Sequence, residues 1–312
     1  MAENKNKNKI LVALDGSKKA FKTIEYLCKF KPFLNKEVVL YNVISSVPDC
    51  YYDLKKEAFS HKAVSRVKAW EMGHRKKMEK FMEESRMMLI AAGFKPEAIT
   101  IMIKKLKKGV ARDILAETQK GYDALLIRRR GAAVSFLPII MGSVATKLVE
   151  KEANIPLFLA GTHKVNHSIF IAVDGSDGSN RAIEFLAKII ENSDCRIVLC
   201  SVLRDYQAYD EKETKQKNAD CIKASFEGIE AVIEETTKRL ESVGIKREKI
   251  ESKIIQGAKS RAGAIVEAAK EEDCDTIVFG RRGKSKVANF DIGRVPWKVI
   301  HGARKLTVWV IP

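Results

Sequence analysis

Two kinds of short segment in the sequence contain residue types that could bind a ligand. The tripeptide Asp-Gly-Ser occurs twice, at Asp15–Ser17 and at Asp174–Ser176, each time directly after a short apolar run. Near the end of the chain, Gly280–Gly283 reads Gly-Arg-Arg-Gly and is followed after nine residues by Gly293. A carboxylate can accept hydrogen bonds from a ligand, and glycines let the backbone approach an anion and offer it N–H groups. Both segments are therefore candidate binding loops.

The late glycine segment has several features of a phosphate site. Gly293 precedes a predicted helical stretch, Val295–His301, so a phosphate could meet the N-terminus of a helix there. The segment is rich in cations, namely Arg281, Arg282, Lys284, Lys286 and Arg294. It is not a Walker A loop, because position 278 is valine, and it is not a G-x-G-x-x-G loop. Both segments also have a purely structural interpretation, as a helix cap with a tight turn and as a solvated loop.

The two Asp-Gly-Ser segments belong to an internal repeat. The stretches that begin at Lys9 and at Ser168 align without gaps, with Asp15 opposite Asp174. Further pairs follow in the same order, namely Glu37–Ile44 with Cys195–Leu203, Ala98–Lys105 with Lys249–Gln256, Gly121–Gly131 with Asp273–Gly283, and Asn154–Ala160 with Lys305–Pro312. A repeat this long indicates a duplicated domain rather than a solenoid. We place the domains at 1–162 and 163–312, with a short linker around Gly161–Asn166.

Each copy alternates apolar runs with helical stretches. Runs such as Ile10–Leu14 and Ile169–Val173 are nearly continuous and rich in β-branched residues, which is typical of strands covered on both faces. Their alternation with helices predicts the α/β class, with parallel sheets and right-handed crossovers. A long amphipathic helix is predicted over Lys56–Ala92, with its methionine and aromatic positions in the core. In such folds ligands bind beyond the carboxyl ends of the strands, where both candidate loops fall.

The composition narrows the classes of partner. The net charge of +17 favours acidic partners such as nucleotides, nucleic acids or anionic surfaces, but we expect most of it to be spread over solvated helix faces. Basic residues are not interleaved with aromatics in the sequence, so nucleic acid is not an expected partner. No apolar run reaches the roughly 18 residues of a membrane span, and no secretory signal is evident, so no membrane contact is expected.

The cysteines indicate a reducing compartment. The six are Cys28, Cys50, Cys195, Cys200, Cys221 and Cys274. None forms a C-x-x-C pair, and none has a histidine at metal-ligand spacing. We therefore expect free thiols in a cytoplasmic protein and no metal site.

On these residues the chain resembles the universal stress protein family in its tandem two-domain form. The resemblance covers nearly the whole chain and rests on three features. These are Val/Leu-Asp-Gly-Ser after strand one, the valine that closes strand two (Val43, Val202), and the late Gly-x2-Gly-x9-Gly-Ser/Thr pattern of the nucleotide-binding branch. It implies two doubly wound domains, each with a five-stranded parallel sheet of order 3-2-1-4-5 and helices on both faces. It also implies an adenine nucleotide, ATP or AMP, across the strand ends, with Mg²⁺ accompanying ATP.

The resemblance assigns binding positions residue by residue. In the second copy they are Ala172, Val173, Asp174, Val202, Phe279, Gly280, Arg282, Gly283, Gly293, Arg294 and Val295. In the first copy the matching positions are Ala13, Leu14, Asp15, Val43, Ile127, Arg130, Gly131, Gly142, Ser143 and Val144. It assigns no catalytic residue and no metal ligand.

Both copies depart from the family pattern. The first has Arg128 in place of the first glycine, and ten residues rather than nine separate Gly131 from Gly142. The second keeps all three glycines but has Arg294 in place of Ser/Thr. Arg294 could pair with a phosphate or fill the pocket and exclude it, and both alternatives stay open. We expect nucleotide preferentially in the second copy.

The leading functional hypothesis is a stress-response protein for which ATP or AMP is a regulatory ligand. We see no residue set for efficient catalysis, so slow ATP hydrolysis is the most that we expect. The alternative, from a different class, is a nucleotide-free interaction protein that acts through dimerisation. Arg128 and Arg294 keep this alternative open.

The last strand of each copy is a candidate sheet edge. These strands are predicted at Leu157–Ala160 and Leu306–Ile311. The resemblance implies that they pair, which in a tandem chain would form an intramolecular pseudo-dimer and cover both edges. A homodimer of whole chains is also left open. Trp309 would lie at this pairing, and we interpret it as a packing residue.

Overall fold

The computed structural model describes residues 8–44, 60–129, 141–151, 154–203, 214–283 and 292–312. These residues form two compact units, Met1–Lys29 with Leu34–Leu148, and Phe30–Phe33 with Val149–Pro312. The limits 1–162 and 163–312 refer to the copies of the sequence repeat and stay a prediction.

The first unit is a parallel sheet with helical crossovers. Its strands are β1 (Lys9–Ala13), β2 (Glu37–Ile44), β3 (Ile99–Lys105) and β4 (Ala124–Arg128). The helices along this part of the chain are α1 (Phe21–Lys29), α2 (Ser60–Ala91), α3 (Val110–Thr118) and α4 (Ser143–Glu150). The strands lie in the order β3-β2-β1-β4 and every described pair is parallel. This agrees with the first four positions of the predicted order.

The second unit repeats this arrangement and adds two strands. Its strands are β5 (Leu157–Ala160), β6 (Ser168–Ala172), β7 (Arg196–Val202), β8 (Ile250–Ile255), β9 (Thr276–Gly280) and β10 (Thr307–Ile311). Its helices are α5 (Asp177–Ile190), α6 (Thr214–Ser242), α7 (Arg261–Glu271) and α8 (Arg294–Gly302). The order is β5-β10-β9-β6-β7-β8, so the five strands of the second copy follow the predicted 3-2-1-4-5 order. Strand β5 joins them antiparallel to β10, with Phe158 opposite Trp309.

The central strands are buried on both faces, as their continuous apolar sequences predict. Ile10, Leu11 and Val12 of β1 and Ile169 and Phe170 of β6 have no exposed surface. Burial of this kind requires helices on both sides of a parallel sheet. The predicted α/β class is confirmed.

The long helix of the first copy shows how its sequence divides between core and solvent. It is predicted over Lys56–Ala92 and observed over Ser60–Ala91; the four residues before Ser60 lie outside the described part of the chain. Met78, Phe81, Met82 and Leu89 are buried. These positions recur at helical spacing, so Met78, Phe81 and Met82 serve the core, as predicted. Trp70, Met72 and Met87 of the same helix are exposed instead.

Aromatic rings form the core around β5 and β10. Trp309 is fully buried and stacks on Phe158 with ring centroids 4.2 Å apart. Phe33 stacks on Trp309 at 5.8 Å, and Phe30 meets it edge-on at 5.5 Å. Such contacts add to the hydrophobic gain of burying large rings. Trp309 is therefore a packing residue, as its sequence context suggested.

Candidate functional site

Both Asp-Gly-Ser turns adopt the same backbone shape at the carboxyl end of the first strand of their copy. Gly16 has φ +71° and Gly175 has φ +70°, in the left-handed region that glycine adopts without strain. Each glycine also faces the long helix of its copy. A Cβ on Gly16 would overlap the side chain of Met78, and one on Gly175 would lie 3.0 Å from Val232. The left-handed backbone therefore favours glycine at both turns, and a side chain there would also have to displace Met78 or Val232.

The two aspartates are held differently. Asp15 Oδ1 accepts hydrogen bonds from Ser17 N at 3.0 Å and from Ser17 Oγ at 2.7 Å. Asp174 Oδ1 accepts only the matching backbone bond, from Ser176 N at 3.0 Å, among the described residues. The hydroxyl of Ser176 instead caps α5 by accepting from Ser179 N at 3.2 Å. Asp174 therefore keeps more acceptor capacity for a ligand than Asp15 does.

Gly280 closes the end of β9 against helix α5. A Cβ on Gly280 would overlap the backbone of Gly178, and a Cβ on Gly178 would overlap the carbonyl oxygen of Arg282. The first turn of α5 thus packs backbone to backbone on the end of β9 and the loop after it. The backbone of Gly178 occupies the space that a side chain at position 280 would need, so packing explains the glycine there.

Gly283 and Gly293 bring the glycine segment to Asp174 and to helix α8. A Cβ on Gly283 would lie 2.8 Å from Asp174 Oδ2, so the carboxylate lies directly beside the loop backbone. Gly293 N donates to Arg281 O at 2.9 Å, which brings the start of α8 back to the loop. The first-turn amides of Arg294 and Val295 have no partner within the helix, while Pro296 has none to offer. A carboxylate, a glycine loop and two helix-terminal amides therefore share one edge of the sheet.

The arginines of the loop have separate roles. Arg281 is buried, and its Nη2 donates to the carbonyls of Val149 at 2.8 Å and Lys151 at 3.1 Å. Its charge therefore interacts with carbonyls at the end of α4 rather than adding to a phosphate site, contrary to the sequence interpretation. Arg282 and Arg294 are exposed. They are the loop arginines whose charge can face an anion.

The remaining second-copy positions line the strand ends. Val173 is buried and its N–H donates to Cys200 O at 2.8 Å, so β6 continues its pairing with β7 up to Asp174. Phe279 is buried, whereas Ala172, Val202 and Val295 are half-buried. Their contact with a nucleotide stays a prediction.

The first copy has a related but altered site. Ala13 and Val43 are half-buried, and Leu14 and Ile127 are buried. Gly142 N donates a hydrogen bond to Arg129 O at 2.9 Å, which matches the bond from Gly293 N to Arg281 O in the second copy. Ser143 begins α4 and is exposed, and Val144 is half-buried. Arg128 occupies the position of Gly280 and is half-buried. Arg130 and Gly131 lie outside the described residues.

Sequence reasoning missed two residues of this region. Asn42 is buried in β2, and its Nδ2 donates to Leu14 O at 2.7 Å, which ties β2 to the residue before Asp15. Gly178 is the partner that explains Gly280. Asn42 could have been found from the sequence, because it is a polar residue inside an apolar strand. Gly178 has a weaker signal, a glycine in the first turn of a helix.

Burial makes Cys195, Cys200 and Cys274 of the second copy poor nucleophiles. It raises the pKa of Cys195 and Cys274 to about 11 and that of Cys200 to about 12. Cys28 and these three form no disulfide bond, while Cys50 and the side chain of Cys221 fall outside the described part of the chain.

The described residues contain no His, Cys, Asp or Glu cluster that could hold a metal ion. No helix in the described ranges is long and apolar enough to cross a membrane.

Comparisons with known proteins identify the second half of the chain. Residues 166–312 match the universal stress protein family. Two curated universal stress proteins of Mycobacterium tuberculosis are each 28% identical over 143 residues, which is 44% of this chain and 90% of theirs.

Solved structures resemble the chain over its full length. A universal stress protein of Archaeoglobus fulgidus is 21% identical, with a TM-score of 0.60 and 98% of each chain covered. A functionally unknown protein of Pseudomonas aeruginosa is 16% identical, with a TM-score of 0.60, covering 99% of this chain and 93% of its own. At these identities the likeness shows the fold. With the match over residues 166–312, the comparisons show that the second half of the chain is similar to the universal stress protein family and that the whole chain has the fold of the solved structures.

Proposed function

We propose that the chain binds an adenine nucleotide, ATP or AMP, as a regulatory ligand, preferentially in its second copy. The observation that carries the proposal is the position of Asp174 Oδ2, 2.8 Å from where Gly283 would carry a Cβ. A carboxylate at the first strand end and a glycine loop at the fourth thus meet at the edge where ligands bind in doubly wound folds.

The chemistry of this edge fits a nucleotide. Asp174 can accept hydrogen bonds from ribose hydroxyls or an adenine amino group. The amides of Arg294 and Val295, with the exposed side chains of Arg282 and Arg294, suit phosphate. Mg²⁺, if it accompanies ATP, would take most of its ligands from phosphate oxygens and water.

A difference between the copies supports the preference for the second. Asp15 already accepts two hydrogen bonds from Ser17, whereas Asp174 accepts one from Ser176 among the described residues. This difference lowers the capacity of the first copy for the same ligand.

A second candidate is the nucleotide-free interaction protein. Its support is the antiparallel pairing of β5 with β10, which is the pairing expected of an intramolecular pseudo-dimer. The close packing of Gly178 on Gly280 also favours this candidate, because it explains the glycine at position 280 without a ligand. In this case dimerisation, within the chain or between chains, would be the active property.

Calorimetric titration of the whole chain with ATP, ADP and AMP separates the candidates. Nucleotide binding predicts measurable heat with at least one nucleotide, and loss of that heat in Gly283→Val. The matched control is Gly228→Val, because a Cβ at that exposed helical position meets nothing within 4 Å. Absence of heat with all three nucleotides, in protein whose circular dichroism spectrum is that of a folded chain, would leave the interaction protein as the better account.

A further inference from the structure

The positive charge of the chain is concentrated in its first copy. Residues 1–162 carry 31 Lys and Arg against 17 Asp and Glu, a net charge of +14. Residues 163–312 carry 26 against 23, a net charge of +3. Because the two copies share one fold, the scaffold does not require this excess. A charge that one copy has and the other lacks indicates an oppositely charged partner for the first copy.

Helix α2 extends past the carboxyl edge of the first unit's sheet. Because β2 and β3 are parallel, α2 must start near the carboxyl end of β2 and run back toward the start of β3. Gly16, in the turn after β1, contacts this helix at Met78. The residues that precede Met78 therefore lie beyond this turn. At a rise of about 1.5 Å per residue, residues 66–77 cover about 18 Å.

A second basic segment lies at the same edge. Strands β2 and β3 continue three residues beyond β1, since Ala13 pairs with Tyr41 and Ile44 pairs with Lys105. Helix α3 begins five residues after Lys105. Asp113 shapes the connecting loop by accepting hydrogen bonds from Lys107 N at 2.7 Å and Lys108 N at 3.0 Å. These backbone bonds lower the pKa of Asp113 and leave both lysine side chains exposed.

We call the cations of these two segments the basic edge. All ten are exposed residues, namely Arg66, Lys68, Arg75, Lys76, Lys77, Lys104, Lys105, Lys107, Lys108 and Arg112. The same two stretches contain two carboxylates, Glu71 and Asp113. One of the ten, Arg75, is paired with Glu79 at 2.9 Å. The surface therefore keeps a strong excess of positive charge.

Among the residues whose side chains the structure describes, the second copy has no equivalent surface. Its long helix, α6, has four glutamates and no Lys or Arg between residues 224 and 237. Between residues 254 and 264, where β8 leads into α7, the second copy has two cations, Lys259 and Arg261. The basic edge is therefore a feature of the first copy and is separate from the proposed nucleotide site.

An exposed aromatic pair lies among these cations. Trp70 is 55% exposed, and its ring stacks nearly parallel on His74, with centroids 5.3 Å apart. Large exposed aromatics next to basic side chains are what single-stranded nucleic acids need, since bases stack on the ring while phosphates follow the cations.

The exposed apolar residues of α2 do not suit a bilayer. Met72 is 61% exposed, but it follows Trp70 by two positions, which is about 200° around a helix. A helix that lies in a membrane interface needs one continuous apolar face. Trp70 and Met72 point to nearly opposite sides, so a lipid surface could cover only one of them.

We propose that the basic edge of the first copy binds single-stranded nucleic acid, with Trp70 as a stacking platform. On α2, Arg66 and Lys77 lie on the side of Trp70, four and seven positions from it, and would contact phosphates together with the cations of the β3–α3 segment. Base contacts would be stacking without sequence preference. This reverses the expectation from the sequence that nucleic acid is not a partner, because the topology of the first unit gathers charge that is scattered along the chain.

Fluorescence anisotropy with a labelled single-stranded oligonucleotide of about 16 nucleotides tests the proposal on the whole chain. The edge variant is Lys77→Gln with Lys104→Gln and Lys105→Gln; the control is Lys188→Gln with Lys246→Gln and Lys259→Gln, three exposed lysines of the second copy. The edge variant should bind at least about tenfold more weakly at low salt, and its log–log salt slope should shrink by about 2. The control should change binding less than about twofold.

Trp70 variants test the stacking separately from the charge. Trp70→Ala should weaken binding about tenfold with an unchanged salt slope, and Trp70→Phe should retain most of the affinity. Absence of binding by the folded wild-type chain would overturn the proposal. So would equal losses in the edge and control variants, duplex binding as tight as single-strand binding, or capture of phosphatidylserine vesicles in place of the oligonucleotide.

Discussion

Asp15 and Asp174 show how one changed hydrogen bond can separate two copies of a site. Both carboxylates accept a bond from the backbone two residues on. Ser17 also turns its hydroxyl to Asp15, while the Ser176 hydroxyl caps a helix instead. The second aspartate therefore retains acceptor capacity that the first has used. The identical tripeptides could not predict this difference, because it depends on how the following helix begins.

The buried thiols should resist alkylation in the folded protein. Thiolates are the reactive form, and burial raises the pKa of Cys195, Cys200 and Cys274 to about 11 or 12. At pH 8 we expect iodoacetamide to leave these three unmodified for as long as the chain is folded, and to label them rapidly in urea. Peptide mass spectrometry with and without urea measures this. Labelling of Cys200 at the same rate in both conditions would contradict the burial.

Some residues of the candidate site were predictable and others were not, for physical reasons. Asp174, Gly283 and Gly293 meet at one edge because strand ends of a parallel sheet converge, which the alternating pattern predicts. The partner of Gly280 could not be predicted, because Gly178 is distant in sequence and no local rule links them. The same holds for Arg281, whose acceptors lie at Val149 and Lys151.

The contact between α5 and β9 depends on a pair of glycines. A Cβ on Gly178 or on Gly280 would overlap backbone atoms of the opposite segment. We expect Gly178→Ala and Gly280→Ala each to lower the free energy of unfolding by about 2 kcal/mol. Their effects should not be additive, because either change separates the same two segments. Urea denaturation of the two single variants and the double variant measures this.

Gly228→Ala is the control for this pair. A Cβ there meets nothing within 4 Å on an exposed helix, so the change should leave stability unchanged or raise it by up to about 1 kcal/mol. A loss in Gly280→Ala below about 0.5 kcal/mol would show that the two backbones are not in contact.

A network of ion pairs connects β7, β8 and the end of α7. Arg196 Nη2 lies 2.6 Å from Glu251 and 2.9 Å from Glu272, and Lys253 Nζ lies 2.9 Å from Glu272. Hydrogen bonds from Lys253 and then Arg196 hold the pKa of Glu272 below its ordinary value of 4.5. A lowered folded-state pKa contributes stability above the unfolded pKa, and the contribution is lost as pH falls through the folded pKa.

Glu272→Gln should therefore destabilise the protein in a pH-dependent way. At pH 7 we expect a loss of about 1 kcal/mol in the free energy of unfolding, and the difference from wild type should shrink as pH falls below about 4.5. Denaturant titrations between pH 3 and pH 7 give this profile. Glu267→Gln, at an exposed position of α7, the helix that ends directly before Glu272, should show little change at any pH. A difference that stays constant down to pH 3 would exclude the carboxylate's charge as the cause.

Strands were easier to predict than their partners. The limits of β2, Glu37–Ile44, are those of its apolar run, because a doubly covered strand needs an apolar residue at almost every position. The α/β class and the second copy's strand order agree with expectation. The antiparallel partner of β10 was inferred from family resemblance, because an edge strand has no sequence feature that names its neighbour.

The distribution of charge becomes informative only once the strands and helices are placed. The total of +17 was interpreted as solvated surface because its residues are scattered along the chain. Helix α2 and the β3–α3 segment bring ten of these cations to one edge of the first unit. The two copies thus differ twice, in the loops that could hold a nucleotide and in the charge beside them.

The stoichiometry of ATP binding tests the central claim, a nucleotide site biased to the second copy. The whole chain, Asp174→Asn and Asp15→Asn are titrated with ATP in a calorimeter, the two variants being matched because asparagine preserves each turn. We predict one nucleotide per chain, binding at least about tenfold weaker in Asp174→Asn, and wild-type binding in Asp15→Asn. Two nucleotides per chain, or equal losses in the two variants, would contradict the asymmetry, and absence of binding by the wild-type chain would contradict the site itself.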